Sequence, residues 1–118
     1  MINPLPESSG YVLGFELTGK LHDDDYKQFV PLLEAAIKEH GKVRLLSYFH
    51  DFHGWDAKAL WDDIKFDRAH HADFEKIALV GDKQWEKWMA SVCKPFTKAT
   101  VKYFDEHELP QAWEWVKS

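Results

Sequence analysis

The sequence contains a single cysteine, Cys93, and no run of apolar residues long enough to cross a membrane. One cysteine excludes an internal disulfide and a cysteine-rich zinc site, and is typical of proteins from a reducing compartment. A membrane-spanning helix needs about 18 consecutive apolar residues. The first residues have neither the basic nor the apolar region of a secretion signal. We therefore expect a cytosolic protein.

Basic residues are outnumbered by acidic ones, because 15 Lys and Arg stand against 20 Asp and Glu for a net charge of −5. Binding to a nucleic-acid backbone needs a basic face, so this balance argues against a nucleic-acid partner. Glycine-rich linkers, low-complexity segments and internal repeats are absent. The 118 residues are 45% hydrophobic, which predicts a single folded domain over residues 1–118.

Segments with the two-residue period of a strand alternate with segments that have the period of a helix. The predicted strands are Ile2–Leu5, Tyr11–Leu17, Val43–Phe49, Ile77–Val80 and Ala99–Phe104. The predicted helices are residues 23–40, the segment with Leu60 to Arg68, residues 83–94, and a short helix from about Pro110. Residues 51–56 are predicted to form a loop. This alternation predicts an α/β fold with a mostly parallel sheet of four to five strands and alternating helices.

Two residues interrupt these patterns. Pro31 lies inside the first predicted helix and predicts a kink or a tightened first turn. Gly14 lies inside an alternating strand and predicts a bulge or a close approach of another chain segment. Gly14 also begins a G-x-x-x-x-G-K match that ends at Lys20. Because Leu21 follows and supplies no hydroxyl for Mg²⁺, we do not interpret the match as a phosphate-binding loop.

Histidines and aspartates are the next candidates for chemistry. His50 and His53 flank Asp51, and the pair His70–His71 precedes Asp73. Three such side chains that converge would make an open zinc site. However, adjacent histidines point in different directions on a helix, and this H-x-x-H spacing matches no common zinc pattern. We therefore predict no metal site, no cofactor and no catalytic residue, with a hydrolytic site at His50, Asp51 and His53 as an alternative.

The tryptophan-bearing segment at residues 83–94 leaves two interpretations open. Its apolar residues have helical spacing and would pack against the sheet as part of the core. The segment and the loop after it are also basic, and tryptophans among lysines are typical of a surface that meets lipid headgroups or an amphipathic ligand. The lysines of this predicted surface are Lys83, Lys87, Lys94 and Lys98.

Four tracts that span most of the chain resemble the SpoIIAA-like proteins, bacterial relatives of the STAS domain. They are GYVLGFELTGKLHDDDYKQFVPLLEAAIKEHGKVRLL, DFHGWDAKALWDDIKF, IALVGDKQWEKW and VKYFDEHELPQAWEWV. The resemblance implies a small α/β domain built as a βα superhelix. It also implies, for the SpoIIAA-like branch, membrane association and an apolar ligand held in a cavity between helices.

STAS domains are also known as anti-sigma-factor antagonists, and the resemblance implies a switch in which a serine is phosphorylated. That serine would lie at the start of the helix after the strand at residues 43–49. Residues 54–60 contain neither serine nor threonine, and Asp56 stands at the predicted helix start. We therefore expect no regulatory phosphorylation in this segment.

Two hypotheses for function follow. The first is a non-enzymatic binding module for a lipid-like or amphipathic molecule, cytoplasmic with peripheral attachment to the inner membrane. The residues that would line its cleft are Trp55, Trp61, Trp85, Trp88, Met89 and Phe96. The second is a STAS-type regulatory domain that docks a protein partner through the same face. A homodimer is compatible with both hypotheses.

Overall fold

A computed structural model describes residues 1–59, 61–62, 65, 72–81 and 99–118 of the chain. Five strands form one sheet in the order β1-β2-β3-β4-β5. The strands are β1 (Ile2–Pro4), β2 (Val12–Leu21), β3 (Val43–Trp55), β4 (Phe74–Gly81) and β5 (Thr100–Asp105). β1 pairs with β2 in antiparallel orientation, and every later pair is parallel. The predicted small α/β domain with a mostly parallel sheet is confirmed.

Helices connect or follow these strands. Helix α1 is Asp23–His40, and helix α2 is Leu109–Lys117, preceded by a 3-10 turn at Glu106–Glu108. Helical residues also begin at Ala57, directly after β3. The predicted helix at residues 83–94 and most of the one at 60–68 lie outside the described residues.

The residues at both ends of helix α1 explain where it begins and ends. The three acidic residues 23–25 occupy its first turn, where carboxylates interact favourably with the helix dipole. At the other end Gly41 has φ 82°, and its N–H donates to the Ile37 carbonyl at 2.7 Å. Glycine adopts this left-handed conformation without the steric cost of a Cβ. Pro31 does not interrupt α1, which continues as one helix to His40.

The hydrophobic core lies on both faces of the sheet. Helix α1 packs Phe29 and Leu33 into one cluster of buried side chains, and α2 packs Trp113 and Val116 into a second cluster. Side chains alternate between faces along a strand. In β4, Leu79 accordingly joins the first cluster, whereas Ala78 and Val80 join the second. This two-sided burial explains the unbroken apolar run Ile77–Val80 within β4.

The loop predicted at residues 51–56 was wrong, because β3 continues through this segment to Trp55. β2 also continues, and Leu21 pairs with Trp55 at the end of the ladder. The register shifts on both sides of Gly19, where β3 carries extra residues. Asp51 at φ 48° and Gly54 at φ 102° lie in this stretch. Polar and glycine residues that resemble a loop in sequence thus form an irregular strand.

Gly14 marks a close approach of helix α2 to β2 and not a bulge. Its register is regular, since Leu13, Gly14 and Phe15 pair with three consecutive residues of β3. A Cβ at position 14 would lie 2.6 Å from Cζ2 of Trp113. The missing side chain therefore lets the Trp113 ring of α2 lie directly on β2.

Candidate functional site

Two helix starts meet at the carboxyl end of the parallel strands. β2 ends at Leu21 and α1 begins two residues later, while β3 ends at Trp55 and helical residues begin at Ala57. In open α/β sheets, ligands bind outside the carboxyl ends of the strands. The charged and polar side chains gathered here, which we call the helix-start cluster, are His22, Asp23, Asp56, Asp62, Lys27 and Lys58.

Asp56 is held at both carboxylate oxygens. The Ala59 N–H donates to Oδ1 at 2.8 Å, and His22 Nδ1 lies 2.7 Å from Oδ2. The Asp56 N–H in turn donates to the carbonyl of Leu21 at 2.9 Å, which ties the helix start to the end of β2. The bond from Ala59, followed by that from His22, lowers the pKa of Asp56. Asp56 is therefore an ionised N-cap for the helix that follows β3.

Asp23 and Asp62 form the second part of the helix-start cluster. Asp23 Oδ2 lies 3.2 Å from Lys27 Nζ and 3.3 Å from Lys58 Nζ. Hydrogen bonds from Asp62, Lys27 and Lys58 lower the pKa of Asp23 to about 2. The hydrogen bond to Asp23, together with burial, raises the pKa of Asp62. The two carboxyl groups thus favour opposite protonation states.

No group of three or more His, Cys, Asp or Glu residues within the described ranges could hold a metal ion. Asp23 and Asp62 share a hydrogen bond, and Asp23 also contacts two lysines, so these carboxyl groups already have partners within the cluster. The arrangement therefore fits a charged surface that caps two helices better than a metal-binding site.

The alternative hydrolytic site lies on β3. His50 Nε2 is 3.5 Å from Asp51 Oδ2, and His50 Nδ1 is 3.4 Å from the Tyr48 hydroxyl. Burial, followed by the nearby Glu106 and other carboxylates, raises the pKa of Tyr48. His50 and His53 are both exposed. The structure thus places Tyr48 and Asp51 beside His50, in contacts too long for strong hydrogen bonds. The other predicted pair, His70–His71, lies outside the described residues.

At the amino end of the strands, basic residues support the fold. Arg44 Nη1 donates to the Val116 carbonyl at 3.1 Å, and Lys76 Nζ donates to the Trp115 carbonyl at 3.2 Å. Cations at the end of a helix interact favourably with its dipole and its free carbonyls. Arg44 also lies 5.3 Å from the Tyr11 ring centroid, beside a shallow cavity of about 430 Å³. The residues that line this cavity are Tyr11, His40, Gly41, Lys42 and Glu75.

The family model for SpoIIAA-like proteins matches residues 12–117. The chain belongs to the SpoIIAA-like family. A similar solved structure is an uncharacterized protein from the DUF3478 family with a SpoIIAA-like fold, from Shewanella loihica PV-4. It is 28% identical with a TM-score of 0.80, and the match covers 98% of this chain and 92% of that one. No curated protein matches the chain significantly.

The SpoIIAA-like assignment confirms the resemblance inferred from the sequence tracts. It supports a STAS-type domain, a class that is generally non-enzymatic. Asp56 caps the helix after β3, which is where the resemblance implies a phosphorylated serine. No helix within the described part of this SpoIIAA-like protein is long and apolar enough to span a membrane.

Most of the predicted ligand cleft lies outside the described residues. Trp61 is described, and it is 55% exposed after the helix start. Trp55 is the last residue of β3, and its backbone pairs with Leu21. The predicted residues that lie outside the described ranges are Trp85, Trp88, Met89, Phe96, Lys83, Lys87, Lys94 and Lys98. The cleft and its basic surface therefore stay predictions.

His22 is a residue of the helix-start cluster that was not predicted from the sequence. The predicted helix begins at residue 23, and the polar residue before it was not considered. A polar residue directly before an acidic first turn is a signal for an N-cap. That signal could have placed His22 at a helix end, but its contact with Asp56, 34 positions away, depends on the pairing of β2 with β3.

Proposed function

We propose that this SpoIIAA-like protein is a STAS-type regulatory domain that binds a protein partner through the carboxyl end of β2 and β3. The observation that carries the proposal is the ionised Asp56 carboxylate at the start of the helix after β3. A phosphoserine at this position would carry a charge of about −1.5 to −2. Asp56 supplies a smaller negative charge that needs no kinase, so partner binding would not be switched at this position.

Accessibility supports the proposal. The Asp56 side chain is 31% exposed although both of its oxygens are hydrogen-bonded. Its carboxylate can therefore accept a further hydrogen bond from a partner without leaving its capping position. A donor with a positive charge would complement it best. The proposed partner accordingly offers a basic or amide-bearing surface to this edge.

The substitution Asp56→Asn tests the regulatory function, because it removes the charge and keeps the shape. The control is Glu39→Gln, which removes one exposed charge at the far end of α1. Each variant would be used with the wild type to capture proteins from cells of the source organism, and the affinity of the captured partner would be measured. We expect a loss of about tenfold for Asp56→Asn, as for one hydrogen bond to a charged group, and no change for Glu39→Gln. Equal affinities for all three proteins would contradict the proposal.

A second candidate function is binding of a lipid-like or amphipathic molecule, with peripheral attachment to a membrane from the cytoplasmic side. The observation that favours it is the exposed ring of Trp61, since tryptophan places an apolar body and a polar N–H at membrane–water boundaries. Trp61 also belongs to the predicted cleft. The other residues of that cleft are assigned to it from the sequence alone.

Vesicle binding tests this second function. Trp61→Ala would be compared with Leu32→Ala, which removes another exposed apolar side chain from α1. We expect only Trp61→Ala to weaken sedimentation with anionic phospholipid vesicles at low salt, while both variants lose less than about 1 kcal/mol of folding stability. Native mass spectrometry of the purified protein would look for a bound lipid. This function would be excluded if the wild-type protein did not bind the vesicles and carried no lipid.

A further inference from the structure

His22 has a fixed position at the junction of β2 and α1. Its backbone is extended at φ −121° and ψ 166°, and its N–H donates to Asp25 Oδ2 at 2.9 Å. The Asp25 N–H donates back to the His22 carbonyl at 3.0 Å. This reciprocal cap holds the backbone from which the imidazole projects.

The imidazole meets a carboxylate that is equally fixed. Asp56 is anchored through its N–H on the Leu21 carbonyl, one residue before His22. The 2.7 Å between His22 Nδ1 and Asp56 Oδ2 is the length of a hydrogen bond to a charged group. Because an ionised carboxylate only accepts, Nδ1 carries the hydrogen in this contact. Nδ1–H is present in the imidazolium and in one neutral tautomer, so the contact does not require a charged histidine.

The two contacts to Asp56 have different effects. The Ala59 N–H fixes Oδ1 as an N-cap, but a single hydrogen bond leaves the carboxylate free to rotate about it. The second contact, from His22 to Oδ2, sets the plane of the carboxylate and therefore the direction of its remaining lone pairs. The orientation that a partner would meet thus depends on the residue before α1.

We propose that His22 is a positioning residue, which orients the Asp56 carboxylate for the partner through a hydrogen bond from Nδ1. This inference rests on the proposed regulatory function. The hydrogen bond also stabilises the ionised form, in agreement with the lowered pKa of Asp56, whose largest cause is the hydrogen bond from the Ala59 N–H and whose second is the one from His22. The His22 side chain is 61% exposed, so substitutions there need not disturb the core.

Two substitutions distinguish the atom that matters. In His22→Asn the side-chain N–H₂ is bonded to Cγ, as Nδ1 is, and asparagine is also a favourable N-cap. In His22→Gln the amide lies one bond further from the backbone, as Nε2 does. His22→Ala removes the donor altogether. Only His22→Asn should therefore restore the contact with Oδ2.

The test is an NMR titration of the Asp56 carboxyl carbon in the wild type and the three variants, with thermal melting to verify folding. We expect a higher Asp56 pKa in His22→Ala and His22→Gln, because a donor to the ionised form is lost. The Asp56 pKa in His22→Asn should lie between these values and that of the wild type, because asparagine restores the donor but not the electrostatic contribution of His22. Partner affinity should fall by about tenfold in the first two variants and recover in the third.

The two readouts separate the two proposals. An Asp56 pKa that is unchanged in His22→Ala overturns the positioning role, whatever the partner data show. The expected pKa pattern with no effect of Asp56→Asn on partner affinity would support the contact and reject the regulatory function. The expected pKa pattern with unchanged affinity in His22→Ala, but a loss in Asp56→Asn, would keep the regulatory function and overturn the positioning role.

Discussion

Position 14 of β2 has no room for a side chain, because the Trp113 ring of α2 occupies that space. A Cβ there would meet Trp113 Cζ2 at 2.6 Å and Leu5 Cδ1 at 3.4 Å. Gly81 is a matched control, since its Cβ would meet Phe49 Cβ at an ordinary 3.5 Å. We expect Gly14→Ala to lower the free energy of unfolding by about 1–3 kcal/mol and Gly81→Ala by less. Urea denaturation measures both, and equal shifts would show that the contact with Trp113 is not tight.

Asp62 provides a prediction about pH. Its folded-state pKa is raised by Asp23, so it disfavours the folded state as pH rises through that pKa. Asp23, with its pKa lowered to about 2 from 3.8, contributes stability above pH 3.8 that is lost as pH falls towards 2. Asp62→Asn removes the unfavourable charge and leaves an amide that can donate to Asp23.

We therefore expect Asp62→Asn to raise the melting temperature at pH 7. The gain should shrink near pH 3, where the native Asp62 is protonated and resembles asparagine. Thermal melts at both pH values measure the difference, with the exposed Asp24→Asn as the control for a general change in net charge. A lower melting temperature at pH 7 for Asp62→Asn alone would mean that its charge is stabilising.

At the scale of one element, α1 shows how a stripe of apolar side chains determines burial. Neighbouring leucines in this helix have opposite environments: Leu33 is 0% exposed and Leu32 is 50% exposed. We expect Leu33→Ala to cost about 2–5 kcal/mol, because it removes buried contacts and leaves a cavity. Leu32→Ala should cost less than about 0.5 kcal/mol. Urea midpoints give both values, and similar costs would imply that the outer face of α1 is covered in solution.

β3 is the element in which sequence patterns and structure disagree. The segment after Phe49 contains two histidines, Asp51 and Gly54, which favour a loop when the segment is considered alone. Its partner β2 extends equally far and supplies the backbone groups that the segment needs. Conformations such as the positive φ of Asp51 then absorb the extra residues. Pairing with a distant strand therefore overrides the local preference.

For the whole molecule, the absence of a predicted metal site gives a further prediction. A structural metal adds its binding free energy to folding, so its removal lowers the melting temperature. We expect the melting temperature of the protein to be the same with and without EDTA. A fall of many degrees that zinc but not magnesium reverses would favour the hydrolytic alternative at His50 and Asp51. Protein dialysed in buffer without chelator is the control.

The class of fold could be predicted from the order of residues alone, because the periodicity of apolar residues depends on local geometry that any α/β domain shares. The alternation in β2, the apolar run in β4 and the three- and four-residue steps of α1 were sufficient for a mostly parallel sheet with helices. The four resembling tracts also identified the family, which the match over residues 12–117 confirmed. These features can be recognised in the sequence without knowing which segments are in contact in the fold.

Which polar residues meet depends on the three-dimensional fold. His22 and Asp56 are 34 positions apart and come together because the ends of β2 and β3 are neighbours in the sheet. Asp23 and Asp62 meet in the same way, through the helices that start there. Hydrogen bonds and pKa shifts depend on distances of a few ångströms, which periodicity does not encode. The sequence thus placed Asp56 at a helix start, and the fold brought His22 into contact with it.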